Sequence, residues 1–302
     1  MTVFRFRVFT TLAATLAATI GHAQTPGVKS GTITLPETRI YYETVGNGPV
    51  VVFIHAFALN LREWDDQVKA LAPNYRLISY DRRGYGKSTG IADPNSEFGD
   101  LKALLDTLDV RSAVLVGHNG GQIVAARFAR ALRERVDGLV LYPHPPIPGF
   151  PWPPTEPDPI GDKAAFVRAH GLDSLFKFVN TLPQFWIPPN RPDIEKRIWS
   201  MLSTYSGRDI FEARPATGPG PYRLPNFEEM KALTVPTLFV TGDRERPHAR
   251  MVADSMSRWM QNARSVVIPG GGVYVHLNEP DRFNAALLGF LRSLPPGKRQ
   301  DR

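Results

Sequence analysis

The stretch Gly117-His118-Asn119-Gly120-Gly121 follows an apolar run, Ala113-Val114-Leu115-Val116, and precedes a helix-like segment from Gln122 to Leu132. A strand that becomes a helix within so few residues turns sharply, and small residues beside position 119 are what such a turn tolerates. Its central side chain is thrust up at the carboxyl edge of the sheet. In the pattern G-x-S-x-G that side chain is a serine hydroxyl, which becomes a nucleophile when a neighbouring base takes its proton. The amide of Asn119 has no readily lost proton and is a poor nucleophile. Three readings of Asn119 stand side by side. It tolerates a strained, positive-φ turn better than most residues. Its amide can hold a ligand carbonyl or hydroxyl. Because Gly120 follows it, it is also prone to deamidation, which would leave an aspartate.

A base would have to come from a histidine. His55 follows the run Val50 to Ile54, His118 precedes the turn's central residue, and His144 follows the run Gly138 to Tyr142. A residue just beyond a strand end lies at the edge where open sheets bind their ligands, which makes His144 a candidate for a relocated base. The bland reading is a loop histidine facing solvent.

The elements that must position these residues alternate along the chain. Gly31 to Leu35 and Arg39 to Val45 read as a half-buried hairpin. Val50 to Ile54 is continuously apolar, as a strand covered on both faces requires. A helical stretch Leu61 to Leu71 follows, then a strand Arg76 to Tyr80, a helix Asp100 to Leu108 and the strand and helix flanking Asn119. After the strand Gly138 to Tyr142, the rhythm breaks from Pro143 to about Asn226, where prolines and aromatics cluster. So long a segment is no bare loop, and it is read as a mostly helical lid over about 145–226. Strands Thr237 to Thr241 and Ser265 to Ile268 then alternate with helices Met251 to Met260 and Pro280 to Leu291. This order predicts an α/β fold: a doubly wound, mostly parallel sheet of about eight strands.

The 302 residues can bury a large core, and 42% hydrophobic and 22% charged residues exclude a disordered or fibrous chain. Arg5 and Arg7, the apolar stretch Val8 to Ile20 and the small residues Gly21-His22-Ala23 read as a secretory signal over 1–23, cleaved after Ala23. A membrane anchor is the alternative, but the stretch is shorter than the roughly 20 residues that span a bilayer. Residues 24–302 would form the exported domain, periplasmic or extracellular, with no membrane span after cleavage. There is no cysteine, which excludes disulfides, thiolate metal sites and thiol nucleophiles. No motif calls for a cofactor or a metal. Net charge is +7, partly in the tail Lys298 to Arg302, and no basic helix with interleaved aromatics suggests nucleic acid.

Five motifs in chain order make the sequence resemble the α/β-hydrolase family from about Thr32 to Leu291. Ile54-His55-Ala56-Phe57 is similar to its oxyanion loop, with Ala56 in a glycine position. Asp81-Arg82-Arg83-Gly84-Tyr85-Gly86-Lys87-Ser88 resembles its D-x-R-G-x-G-x-S loop. The Asn119 turn resembles its nucleophile elbow, with Gln122 for the usual third glycine. Gly242-Asp243-Arg244-Glu245 resembles the turn presenting the triad acid, with Glu245 in the acid position and Asp243 its competitor. Pro269 to Pro280 resembles the segment presenting the triad histidine, where Val273 stands in the histidine position and His276 matches a second, non-catalytic one. The resemblance also puts an oxyanion hole at the N–H groups of Phe57 and Gly120.

With an amide at 119 and an alkyl group at 273, both proton-handling members of such a triad are missing. Losing triad members leaves roughly 10³-fold catalysis over water, from binding and oxyanion stabilisation. The expectation is an exported protein that binds, or transforms without hydrolysis, a small apolar or aromatic molecule under an aromatic lid. The alternative is an active hydrolase acting on an ester, epoxide or carbon–halogen bond, using deamidated Asn119 or the base His144.

Overall fold

A computed structural model describes residues 27–93, 96–142, 147, 149–150, 162–212 and 225–295. The proposed signal, His144 and parts of the expected lid lie outside the described residues. Eight strands form one sheet: β1 (Lys29–Leu35), β2 (Thr38–Val45), β3 (Val50–Ile54), β4 (Arg76–Tyr80), β5 (Ala113–His118), β6 (Val136–Tyr142), β7 (Thr237–Gly242) and β8 (Ala263–Ile268), in the order β1-β2-β4-β3-β5-β6-β7-β8. β1 and β2 pair antiparallel, β2 joins β4 antiparallel, and every later pairing is parallel. The expected mostly parallel α/β sheet is therefore present.

The helices are α1 (Asp65–Leu71), α2 (Glu97–Thr107), α3 (Gly120–Ala131), α4 (Lys163–His170), α5 (Leu172–Asn180), α6 (Pro192–Leu202), α7 (Arg208–Glu212), α8 (Phe227–Lys231), α9 (Pro247–Trp259), α10 (Val275–Asn278) and α11 (Pro280–Ser293). Strand side chains alternate faces with period two, and the core divides accordingly. Val52, Ile54, Leu115, Leu139 and Phe239 pack with α2, α3 and α9 on one face, whereas Val51, Phe53, Val116, Val140 and Leu238 pack with α1 and α11 on the other. This double covering explains why the central strands read as continuous apolar runs.

Element ends differ from the sequence reading where polar residues are drawn inward. α2 begins at Glu97 because buried Arg82 and Arg83 hold Glu97 and Asp100 in its first turn, at positions hydrophobic periodicity does not mark. α9 begins one turn before Met251, with Pro247 in its first turn, where a missing N–H costs nothing. Leu61 to Leu71 splits into a 3₁₀ turn, Leu61–Trp64, and α1.

Between β6 and β7, helices α4 to α7 cover the edge where the parallel strands end. Phe176, Ile198, Leu202 and Tyr205 of this insertion share an apolar cluster with Ala56, Leu59 and Val273. Gln184 accepts the Val273 N–H at 2.7 Å through its backbone carbonyl, and Asn278 donates to the Trp186 carbonyl at 2.9 Å. No helix among the described residues is long and apolar enough to cross a membrane.

Candidate functional site

Register brings the distant segments together. Ile54 pairs with Gly117 and His118 with Tyr142, so the ends of β3, β5 and β6 lie side by side at one edge of the sheet. Between β5 and α3, Asn119 has φ 48° and ψ −111°. That positive φ is strained for a side-chain-bearing residue, at a cost of order 1–3 kcal/mol. The turn closes because Gly121 lies against β3: a Cβ there would meet the Ile54 carbonyl oxygen at 2.1 Å. The Asn119 N–H donates to the Tyr142 carbonyl at 2.8 Å, and its Oδ1 accepts the Gly120 N–H at 2.8 Å. The amide thus caps α3 and occupies one of the two donors expected for an oxyanion hole. The other, the N–H of half-buried Phe57, has no hydrogen-bond partner among the described residues.

Asn119, Gly120, Phe57 and Val273 all line one cavity of about 610 Å³. Val273 is 6% exposed and packs with Tyr274, Leu277 and the inserted helices. Among the described lining residues there is no serine, threonine, cysteine, aspartate or glutamate.

The two carboxylates that competed in the sequence separate by burial. Asp243 is exposed, and its Oδ1 accepts the Gly270 N–H at 2.8 Å, which braces the glycine-rich loop. Glu245 is buried. Its Oε1 accepts the Arg246 N–H at 3.0 Å, while Oε2 has no hydrogen-bond partner among the described residues. Burial holds its pKa above the usual carboxylate range, against the lowering effects of that hydrogen bond and of His118 and Arg246. An unpaired carboxylate oxygen in a protein interior is costly.

The histidines beneath the turn are interior groups. His55 Nδ1 lies 2.7 Å from the Ala56 carbonyl, and its Nε2 accepts the Arg82 N–H at 2.8 Å, which assigns the neutral tautomer with hydrogen on Nδ1. Burial, followed by the charge of Arg82, pushes its pKa well down. His118 lines the cavity, donates from Nδ1 to Glu63 Oε1 at 3.1 Å and has no partner at Nε2. His276 sits among Trp64, Tyr142 and Phe283, with neither nitrogen hydrogen-bonded and its pKa pushed well down by burial and then by His118. Donor atoms of Glu63, His118 and His276 lie within 4.8 Å of one another. Two imidazoles and a carboxylate are metal-binding chemistry. Here Glu63 spends both oxygens inside the protein, on His118 and on the Ala56 N–H at 3.2 Å, an arrangement suited to bracing the turn.

Sequence reading missed four charged groups at the site: Arg82, Lys163 and Arg246 on the cavity wall and Glu63 beneath the turn. Buried Arg82 donates from Nη2 to both Glu97 oxygens at 2.7 and 3.0 Å and from Nη1 to the His55 carbonyl at 3.2 Å. Arg246 lines the cavity with the Gln184 side-chain oxygen 2.6 and 2.9 Å from its Nη2 and Nε, the Gln184 amide being oriented to satisfy both. Glu63 lies in a polar 3₁₀ turn with no sequence signature. For Arg82 alone there was a signal, the paired arginines of the Asp81 to Ser88 motif.

The family model of the alpha/beta hydrolase family matches residues 51–286. The chain belongs to this family. As an alpha/beta hydrolase it is similar to a putative non-heme chloroperoxidase of Synechocystis sp., with 30% identity over 84% of this chain and 95% of the relative. Epoxide hydrolase 4 of Mus musculus is 25% identical over 84% of this chain and 76% of its own length. Among solved structures, a thermophilic esterase from Thermogutta terrifontis superposes with a TM-score of 0.71 at 24% identity, covering 87% of this chain and 98% of the esterase. These relatives carry haloperoxidase, epoxide hydrolase and esterase names on one scaffold, so the activity of this chain rests on its own side chains.

Proposed function

We propose that this alpha/beta hydrolase has a degenerate triad, Asn119 in the nucleophile position and Val273 in the histidine position, and that it binds, or transforms without hydrolysis, a small apolar or aromatic molecule beneath its helical lid. One observation carries the reading: among the described residues the cavity wall offers no serine, threonine, cysteine, aspartate or glutamate, and an amide stands at the strained turn where a nucleophile belongs. Glu245 agrees with it. A buried carboxylate with an orphaned Oε2 is what remains of an acid that has lost the imidazole it once oriented. On this reading residues 1–23 are removed and the domain acts in the periplasm or outside the cell.

The test compares p-nitrophenyl butyrate turnover by mature wild type and by the Asn119→Ser/Val273→His double variant. Wild type is expected to be inactive and the double variant to gain at least about 10²-fold, since a restored nucleophile and base work as a unit. Ester hydrolysis by wild type that disappears in Asn119→Ala refutes the reading.

One observation favours a second reading. The Gly120 nitrogen lies 2.8 Å from Asn119 Oδ1, within reach of the amide carbon it must attack for deamidation. An aspartate made this way is a nucleophile of the kind the resemblance assigns to epoxide hydrolases and dehalogenases. The mass of the peptide carrying residue 119, taken from active protein, decides it; an unchanged amide excludes this route.

A further inference from the structure

The cavity wall around Asn119 is charged in one sense only. Arg82, Lys163 and Arg246 line it, and no carboxylate does among the described residues. The balancing acids stand behind the cations: Glu97 grips Arg82 from the α2 side, and Glu245 accepts the backbone N–H of Arg246. Glu97 and the His55 carbonyl hold the Arg82 guanidinium, and the Gln184 side-chain oxygen holds that of Arg246, so both charges are fixed in place at the wall. Arg82 is 6% exposed, its buried Nε has no hydrogen-bond partner among the described residues, and its Nη1 lies 2.8 Å from where a Cβ on Gly120 would be. Its charge therefore sits against the first residue of α3, beside the Asn119 amide. Arg246 is held on the other side through Gln184, whose backbone carbonyl binds the Val273 N–H. The remaining wall is apolar, with Phe57, Leu175, Phe176, Val179, Phe185 and Leu202.

We propose that the cavity takes an amphipathic anion, a carboxylate on an aromatic or aliphatic body, with its head between Arg82 and Arg246 beside Asn119 and its body among the inserted helices. The inference rests on the binding role proposed above and adds the charge of the ligand. A neutral ligand leaves the positive charge of the wall without an anion facing it, whereas a carboxylate supplies one, and hydrogen bonds to an ionised acceptor are roughly twice as strong as neutral ones. An amine meets only like charge.

Isothermal titration of the mature chain with phenylbutyrate, phenylbutyramide and phenylbutylamine tests this. The carboxylate is expected to bind about tenfold more tightly than the amide, and the amine not measurably. Arg246→Gln should remove most of the tenfold advantage by weakening the carboxylate more than the amide, with Arg246→Lys restoring part of it. Should Arg246→Gln fold poorly, salt serves in wild type: added salt weakens carboxylate binding and spares the amide. If the amide binds as tightly as the acid, the charge assignment is overturned while the apolar-ligand reading stands. If the amine binds most tightly, it is overturned as well. If none of the three binds, both fall together.

Discussion

Replacing Glu97 by glutamine removes one charge from a pair that water barely reaches. The Arg82 and Glu97 side chains are 7% and 5% exposed, and Arg82 Nη2 contacts both carboxylate oxygens at 2.7 and 3.0 Å. Glutamine keeps the volume, so no cavity opens, and it keeps one acceptor. It also points an NH₂ at a guanidinium whose charge is no longer balanced nearby. Breaking a buried pair in this way costs about 3–5 kcal/mol, and the retained acceptor places Glu97→Gln at the lower end. The comparison variant is Asp254→Asn, which breaks the pair with Arg258 one turn along α9, where the side chains are 53% and 70% exposed. Solvent screening limits that loss to about 0.5 kcal/mol or less. With a urea slope of about 1–3 kcal/mol per molar, Glu97→Gln should lower the unfolding midpoint by about 1 M or more and Asp254→Asn by a few tenths at most. Equal midpoint shifts would refute the argument that burial sets the strength of the Arg82 anchor.

Two further perturbations probe the turn and the interior. Gly121→Ala drives a Cβ into the Ile54 carbonyl oxygen, backbone that cannot yield cheaply. A loss of about 1–3 kcal/mol or more is expected by urea unfolding, and a neutral result would contradict the close approach of α3 to β3. His55 and His276 are buried neutral, with pKa values held well below 6.5. The unfolded chain takes up a proton on each near pH 6.5 that the folded chain refuses, so stability falls as pH drops below that value. The slope is at most about 1.4 kcal/mol per pH unit for each histidine. His276→Phe, which suits the surrounding aromatic rings, should flatten the slope between pH 7.5 and 6.0; an unchanged slope means His276 is protonated in the folded protein.

Much of this protein was legible in one dimension. Apolar runs at Val50 to Ile54, Ala113 to Val116 and Thr237 to Thr241 announced buried parallel strands, because a strand covered on both faces has no polar side to alternate with. The glycines around Asn119 announced the sharp turn, because only small residues let a helix start so close to the neighbouring strand. Resemblance of motif put Val273 and Glu245 in triad positions and left Asp243 level with Glu245. Only the tertiary structure separated those two, by burying one and exposing the other.

The charge of the cavity was invisible in the sequence for a related reason. Arg82, Lys163 and Arg246 come from a loop after β4, the inserted helix α4 and the turn after β7, and nothing in their local context says that they meet. Nor does it say that Glu97 holds Arg82 from the α2 side, off the cavity wall. Local composition determines which elements form and where backbone must bend. Which charges face one another across a cavity depends on strand register and on how an insertion folds back over the sheet, and both are settled by packing among residues far apart in the chain.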